Sequence, residues 1–574
     1  MAGIDFGLIV TGQAGQGLQV IAQALAGVFV RSGYHVFVSQ DVMSRIRGGH
    51  NFTRVRIATK PVGADADRAQ MLVALDAKLA SLHLSELADD GLVLIDPDDG
   101  SRPETGHEIV AVPLRRLARE HGREVMTNSV ALGAALALLQ HDPEALRRPI
   151  QELFAGKGQA VADENLACAR AGFDFVCAEG RTCRERIPRI AEDAGRLFLT
   201  GAQALGLGAI AAGVRLVAGY PMSPATPIFE FCARNAAEAG IAVELVEDEI
   251  AAINMALGAA FAGARAMTCT AGGGFCLMNE GLSLAGMTET PVVIMVGMRP
   301  GPATGLATRT AQADLLFCLS AGHGEFPRAV LAPADPEQAF HATIRAFRIA
   351  EEFQTPVIVL FDQFMADATR TIGNLQLPIA NLQSAERQSL PEGAYRRYEA
   401  SESGVSPFLR PGTKGQLVYV DSDEHNEEGH ITESAEVRVR MVEKRARKAG
   451  GIAVMLEPPE VWPGPGRKTM VVGFGSTRGA VLEAVERLRG KGLDVGVLHI
   501  CDIWPFPIDS VRAALEDSRR VITVENNWSG QVARLLRQEA GITAAGSVRR
   551  FDGRQFAVAE VAAGIERLAE GKTG

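Results

Sequence analysis

The sequence predicts an α/β protein made of three α/β domains. Three observations carry this reading. Short runs rich in Val, Ile and Leu recur along the chain, helical stretches separate them, and Gly- or Pro-rich loops follow several runs directly. Apolar strands without polar alternation are those of parallel sheets covered by helices on both faces, and such sheets bind ligands at the carboxyl ends of their strands. The length, 574 residues, suits about three or four domains at roughly 100–200 residues each.

The elements follow in chain order. A strand at 6–10 leads into the loop Gly12-Gln13-Ala14-Gly15-Gln16-Gly17, then an apolar helix at 18–30 and a strand at 35–39, the opening of a βαβ unit. Further buried strands are expected at 71–75 and 92–95, with helices near 128–140 and 143–154. The polar stretch 180–189, with four arginines and a proline, reads as a linker and closes a first domain, 1–185. A second domain, 196–375, has strands at 214–218, 243–246, 266–269, 292–296 and 357–361, and helices at 250–262 and 275–286. Residues 376–465 are a polar connector in which 435–448 reads as an exposed charged helix. A third domain, 466–574, has strands at 469–473, 495–499 and 520–525 with helices at 478–488 and 530–538.

Composition excludes several classes. The formal charge of −10 gives no basic field to attract phosphates, which argues against a broad nucleic-acid surface. With 47% hydrophobic and 22% charged residues the chain is not a disordered one. Eight cysteines without a C-x-x-C pair provide neither a disulfide scaffold nor a metal or iron–sulfur motif, so a reduced, cytoplasmic chain is expected. The start lacks the basic leader of a secretory signal. The apolar stretches 201–220 and 250–278 are dominated by Ala and Gly, and read as buried helices and turns rather than membrane spans.

Five motifs carry chemistry. The 12–17 loop lies between a strand and a helix, where backbone N–H groups and the helix N-terminus suit an anion. Its glycine order is the reverse of the dinucleotide fingerprint, which disfavours a nicotinamide dehydrogenase. Arg45-Ile46-Arg47-Gly48-Gly49-His50, followed by Arg54 and Arg56, sets arginines beside a turn where they could grip a diphosphate; packing glycines and surface arginines are the plain alternative. Gly219-Tyr220-Pro221-Met222-Ser223-Pro224-Ala225-Thr226-Pro227 fixes a stiff loop with two hydroxyls after a strand. A helix cap at Ser223 or Thr226 is the competing reading, but a cap does not need three prolines.

Glu247-Asp248-Glu249 ends a strand and opens an Ala-rich helix. The helix dipole accounts for at least two of these carboxylates, and burial of one would suit it to proton work. Thr268-Cys269-Thr270-Ala271-Gly272-Gly273-Gly274-Phe275 serves close ligand approach and tight packing equally well. Arg299-Pro300-Gly301-Pro302-Ala303-Thr304-Gly305, continuing to Thr308-Arg309-Thr310, places two arginines where a carboxylate substrate or a structural ion pair could engage them.

Taken in order, the Tyr220–Pro227 motif, Glu247-Asp248-Glu249-Ile250-Ala251-Ala252, the 270–275 glycine run and the 304–310 segment resemble the α subunit of the 2-oxoacid:ferredoxin oxidoreductases. The first 180 residues resemble that family's γ subunit fused in front, and Glu424-His425-Asn426-Glu427-Glu428-Gly429-His430 resembles its 2-oxoglutarate branch. The resemblance implies that 2-oxoglutarate, CoA and oxidised ferredoxin give succinyl-CoA, CO2 and reduced ferredoxin, reversibly, as in the tricarboxylic acid cycle. It makes the central domain a pyrimidine-type thiamine-diphosphate domain built on a doubly wound parallel sheet. The diphosphate, Mg2+ and a [4Fe-4S] cluster then belong to a β subunit in an (αβ)2 heterotetramer, without metal, nucleic acid or membrane on this chain.

Residue by residue, the resemblance assigns Glu249 to the aminopyrimidine ring as the catalytic carboxyl. Tyr220, Pro221 and Thr226 go to the cofactor, and Ser223 and Arg309 to the substrate carboxylate. Gly12, Gly15, Gly17 and Arg47 fall near CoA. Ser223 stands where the family has Thr, and Met222 where it has Ile. The third domain resembles the transketolase carboxyl-terminal domain, a scaffold and interface. Pyruvate or another 2-oxoacid as substrate, and a non-catalytic assembly subunit, are the alternatives.

Overall fold

The computed structural model describes residues 3–43, 48–191, 195–375, 395–464, 466 and 468–571. They form two compact units: Met1–Leu199 with Ala368–Asn374 and Ala557–Ala559, and the remainder of the chain.

The first unit is built on an eight-stranded sheet. Its order is Glu108–Ala111, Leu87–Ile95, Ala69–Ala74, Asp5–Ala14, Gly48–Ala58, His35–Asp41, Thr369–Ile372 and Leu197–Thr200. The sheet therefore takes strands from beyond residue 185. Asp5–Ala14 is parallel to Ala69–Ala74, and both faces are covered: Leu8 and Val10 enter one core, Ile9 and Leu72 the other. This two-sided burial is why the strand reads as an unbroken apolar run.

The βαβ opening holds one surprise. Gly48–Ala58, expected as a turn with free arginines, is an antiparallel strand inserted between the two parallel ones. Its arginines alternate with the buried Val55 and Ile57, the two-residue period of a strand. Both arginines are engaged within the unit: Arg56 is bidentate to Asp5 at 2.7 Å, and Arg54 pairs with Glu86. Arg54 and Arg56 thus stand on a strand rather than beside a turn, and Arg45 and Arg47 lie outside the described residues.

The second unit carries two sheets. The larger runs Asp502–Trp504, Ala329–Leu331, Pro356–Asp362, Val292–Met298, Ala266–Ala271, Leu216–Gly219 and Ala242–Leu245, parallel except for the first pairing. The smaller runs Glu460–Trp462, Val495–Ile500, Thr469–Phe474, Arg520–Glu525 and Gly546–Arg549. One core joins them, with Ile294 and Leu360 of the first packed in a cluster with Val472 and Leu498 of the second. No described helix is long and apolar enough to cross a membrane.

The charged helix of the connector is longer than expected, Ala435–Met455; one face is exposed as expected, and the other, carrying Met441, Lys444, Arg445, Lys448 and Ile452, is buried. Lys444 and Lys448 are buried on the Glu289 carboxylate, with Lys444 Nζ at 2.6 and 2.9 Å. Buried Arg397 donates to the Glu289 carbonyl at 2.6 Å. Charge usually marks a solvated face, but a paired charge can be buried. In the same connector His425 is buried with its ring 3.9 Å from that of Tyr398, and Glu424 takes both Arg438 and Arg445.

Candidate active site

The loops that follow the parallel strands of the larger sheet build one site. After Leu216–Gly219 the chain runs through Tyr220 and Pro221, both exposed, to half-buried Ser223 and Thr226. The next helix, Thr226–Arg234, has no side-chain cap, so neither Ser223 nor Thr226 serves as one. Pro224 packs on Gly297 so closely that a Cβ there would stand 2.8 Å from its Cδ.

The three adjacent carboxylates separate into three roles. Glu247 is exposed, and Asp248 caps the helix Glu249–Phe261 by accepting from Ala251 N at 2.8 Å. Glu249, the first helical residue, is buried to 3% exposure. Among the described residues its carboxylate is bonded by the Thr270 hydroxyl alone, at 3.5 Å. The glycine run explains that burial. A Cβ at Gly274 would stand 2.7 Å from the Glu249 carboxyl carbon, and one at Gly272 would stand 2.8 Å from that of Asp314. The glycines at 272 and 274 therefore admit two carboxylates against the backbone.

Asp314 was not legible in the sequence. Burial lifts its carboxyl to about 6, against the pull of Arg299. Arg299 donates to the Ser223 carbonyl at 2.8 Å and so ties the Pro/Gly loop to the Ser223 loop. The arginine beside Ser223 is thus Arg299. Arg309 lies ten residues on, where a Cβ at Gly553 would meet its Cβ at 3.0 Å.

The segment after Arg309 is stitched to the smaller sheet's loops, chiefly through buried Gln312. Its N–H donates to Asn526 O at 2.6 Å, its Oε1 accepts from Asn526 N at 3.0 Å, and its Nε2 donates to Phe474 O at 2.9 Å. Thr310 N donates to Gly553 O at 3.0 Å. Gln312 stands outside every motif, and only its fully satisfied burial marks it.

In the first unit, Gly15 and Gly17 hold φ of +91° and +76°, a left-handed turn that opens the helix Leu18–Arg31. Gln13 crosses to Asp76 Oδ2 at 2.6 Å beside them. Gly12 is the last residue of the strand's regular pairing. Arg47 lies outside the described residues.

A parallel sheet with its ligand loops at the strand ends, a buried carboxylate and an arginine bonded to the carbonyl of a neighbouring loop belong to the α/β class of cofactor-dependent enzymes. Residues 207–444 match the family described as pyruvate flavodoxin/ferredoxin oxidoreductase, thiamine diphosphate-binding. Residues 7–175 match pyruvate ferredoxin/flavodoxin oxidoreductase, and 467–561 match pyruvate:ferredoxin oxidoreductase core domain II. The chain is 32% identical to the α subunit of 2-oxoacid:ferredoxin oxidoreductase 2 of Aeropyrum pernix, over 99% of this chain and 98% of the relative. It is 28% identical to the 2-oxoglutarate oxidoreductase subunit KorA of Mycobacterium tuberculosis, over 98% and 91%. A solved 2-oxoglutarate:ferredoxin oxidoreductase from Magnetococcus marinus, with 2-oxoglutarate, coenzyme A and succinyl-CoA bound, superposes with a TM-score of 0.92. That structure is 28% identical and covers 98% of this chain and 99% of its own. The chain belongs to the 2-oxoacid:ferredoxin oxidoreductase family, as an α subunit, and carries its thiamine-diphosphate-binding domain.

Proposed function

We propose that this chain is the catalytic α subunit of a 2-oxoglutarate:ferredoxin oxidoreductase, working in the cytoplasm on 2-oxoglutarate, CoA and ferredoxin. The observation that carries the catalytic role is Glu249: a carboxyl buried to 3%, bonded by one hydroxyl, in a cradle that any Cβ at 274 would fill. Those residues fit a flat ring offering a nitrogen to the carboxyl, as thiamine diphosphate does. Bound there, the cofactor stabilises the carbanion left when a 2-oxoacid loses CO2.

The chain's own groups then have distinct work. Glu249 holds a proton at the ring nitrogen, oriented by Thr270, and Tyr220, Pro221 and Thr226 flank the cofactor. Ser223 and Arg299 bind the substrate carboxylate, Arg299 replacing Arg309 in that role because of its 2.8 Å bond at Ser223. The 12–17 turn and Arg47 serve CoA.

A β subunit supplies the diphosphate site, Mg2+ and the [4Fe-4S] cluster, in an (αβ)2 assembly. In support, Leu245, Ile250, Met255 and Leu277 are exposed apolar side chains on elements bordering the Glu249 site. Such a patch suits a protein partner. Names of relatives favour 2-oxoglutarate, while the broader 2-oxoacid names favour wider choice, so the substrate is decided by assay. Anaerobic purification with the partner, followed by CoA-dependent viologen reduction, should give activity with 2-oxoglutarate far above pyruvate. Glu249→Gln should abolish turnover while assembly persists. Full activity in that variant would remove Glu249 from the mechanism.

A further inference from the structure

The loop that carries Arg299 and Arg309 begins and ends at one buried carboxylate that the roles above leave unused. Asp362 is the last residue of the strand Pro356–Asp362 and is 1% exposed. In the parallel register it stands opposite Met298, so the chain leaves the sheet into Arg299 directly beside it. The chain returns to the same carboxylate at Thr310, whose hydroxyl donates to it, and at Gln312, whose Nε2 lies 3.5 Å from Oδ2. Between these two points lie Arg299, the exposed tip 301–306 and Arg309.

Further donors fix the carboxylate itself. Ser476 Oγ, in the turn after the strand Thr469–Phe474, donates to Oδ2 at 2.5 Å, and Met365 N donates to Oδ1 at 2.9 Å. The same turn presses on the loop. Gly475 holds φ of +55°, and a Cβ there would stand 3.0 Å from Gln312 Nε2. Phe364 N donates to Thr310 Oγ1 at 3.2 Å, which leaves that hydroxyl's own proton for Asp362. Burial pushes the Asp362 carboxyl up, against the pull of Ser476, Met365 and Thr310. A buried carboxylate held in this way tolerates little displacement of its donors, because each bond lost leaves it poorly solvated.

A brace that only joined the larger and smaller sheets would need neither the strand end that leads into Arg299 nor the hydroxyl next to Arg309. Asp362 has both. We propose that Asp362 is a positioning residue for the 2-oxoacid carboxylate, fixing Arg299 and Arg309 from the base of their shared loop. Buried as it is, it acts through the loop and not on the substrate. This role rests on the 2-oxoacid activity proposed above, and it holds whichever arginine meets the substrate. The Glu249 carboxyl is set separately, by Thr270 and the Gly274 cradle. The signature of Asp362 therefore falls on KM and not on kcat.

Steady-state kinetics of the enzyme with its partner subunit, and amide exchange read by mass spectrometry, test this role. Asp362→Asn keeps the shape but turns one acceptor oxygen into an N–H donor. It should raise the KM for the 2-oxoacid about tenfold or more, the scale of a charge-assisted hydrogen bond. The kcat and the KM for CoA should stay within about twofold of wild type. Exchange should quicken in 299–313 and not in the helix Glu249–Phe261. Thr310→Val, which removes one hydroxyl and keeps Asp362, should move the same KM in the same direction by less. A folded Asp362→Asn enzyme whose KM for the 2-oxoacid stays within about twofold of wild type overturns the proposal. If that variant does not fold, an unchanged KM in Thr310→Val overturns it. So does a common loss of kcat, CoA affinity and thermal stability, which would leave Asp362 a structural brace. Wild-type enzyme inactive on every 2-oxoacid would overturn the functional reading and the arginines' role with it, whereas unchanged exchange in 299–313 of an active Asp362→Asn enzyme overturns the role of Asp362 alone.

Discussion

Gly274→Ala is the sharpest probe of the active site, because it adds one methyl group and no charge. The new Cβ would stand 2.7 Å from the Glu249 carboxyl carbon, and closer still to Glu249 Oε1 and Thr270 Oγ1. Glu249 Oε1 would stand 2.3 Å away, so to reach ordinary contact at 3.4 Å the carboxyl has to recede by about 1.1 Å. Overpacking of this kind costs about 1–3 kcal/mol, which a two-sheet unit of this size can absorb. Catalysis is less forgiving: a displacement near 1 Å of a reacting group costs on the order of 10²-fold in rate. The variant should therefore fold, assemble with its partner and lose on the order of 10²-fold in kcat with 2-oxoglutarate and CoA. Thermal unfolding and size-exclusion chromatography check the fold, and viologen reduction measures the rate. Wild-type kcat in a folded Gly274→Ala enzyme would refute the reasoning, since Glu249 would then act from a position the cradle does not set.

The remaining predictions concern binding and stability. Arg299→Ala should raise the apparent KM for the 2-oxoacid by about tenfold or more, the scale of a charge-assisted hydrogen bond, and Arg309→Ala should do less; steady-state kinetics with the reverse ranking would return the substrate to Arg309. Burial pushes the Glu289 carboxyl up, yet Lys448, Lys444 and Arg397 outweigh it and hold it down at about 2, below its ordinary 4.5. Its stabilising contribution is thus complete above 4.5 and lost as pH falls from 4.5 towards 2. Glu289→Gln should flatten that acid limb in urea unfolding and, by leaving Lys444 and Lys448 buried without their counter-charge, cost about 3–5 kcal/mol at neutral pH; an unchanged midpoint at pH 7 would show that the lysines find other partners.

Much of the fold could be read from the chain because its parallel strands are buried on both faces and so leave unbroken apolar runs. The exceptions share one cause, which is charge placed inside and paired there. Arg54 and Arg56 disguised a strand as a turn, and Lys444 and Lys448 disguised the buried face of a helix that is exposed on its other side. In each case the sequence shows the charge but not its partner, which lies elsewhere in the chain: Asp5 for Arg56, Glu86 for Arg54, Glu289 for the lysines. That one of the acids at 247–249 could be buried was legible, because acids between a strand and an Ala-rich helix are a local pattern; that it is Glu249 came only from the resemblance, and its 3% exposure agrees. Asp314 and Gln312 were not legible, because what distinguishes them is contact with Gly272 and with the Asn526 loop. Arg299 and Arg309 look alike in a Pro/Gly loop until one of them is seen at Ser223.

That loop shows why the smaller sheet matters to the site. At one end it is fixed by Arg299 on the Ser223 carbonyl, and by Pro224 against Gly297. At the other, Gln312 and Gln531 fasten it: Gln531 Nε2 donates to Ala313 O at 2.6 Å, and its Oε1 accepts from Leu316 N at 3.0 Å. A loop of this length would otherwise carry backbone entropy worth about 1–2 kcal/mol for every residue left free. Fastening both ends holds Arg299 and Asp314 in place before substrate arrives, so that binding does not have to order them. The Glu249 carboxyl is set by loops of the larger sheet, through Thr270 and Gly274. The loop that carries Arg299 depends on both sheets, so under the proposed function substitutions in the Asn526–Gln531 region should alter the KM for the 2-oxoacid before they alter the proton chemistry at Glu249.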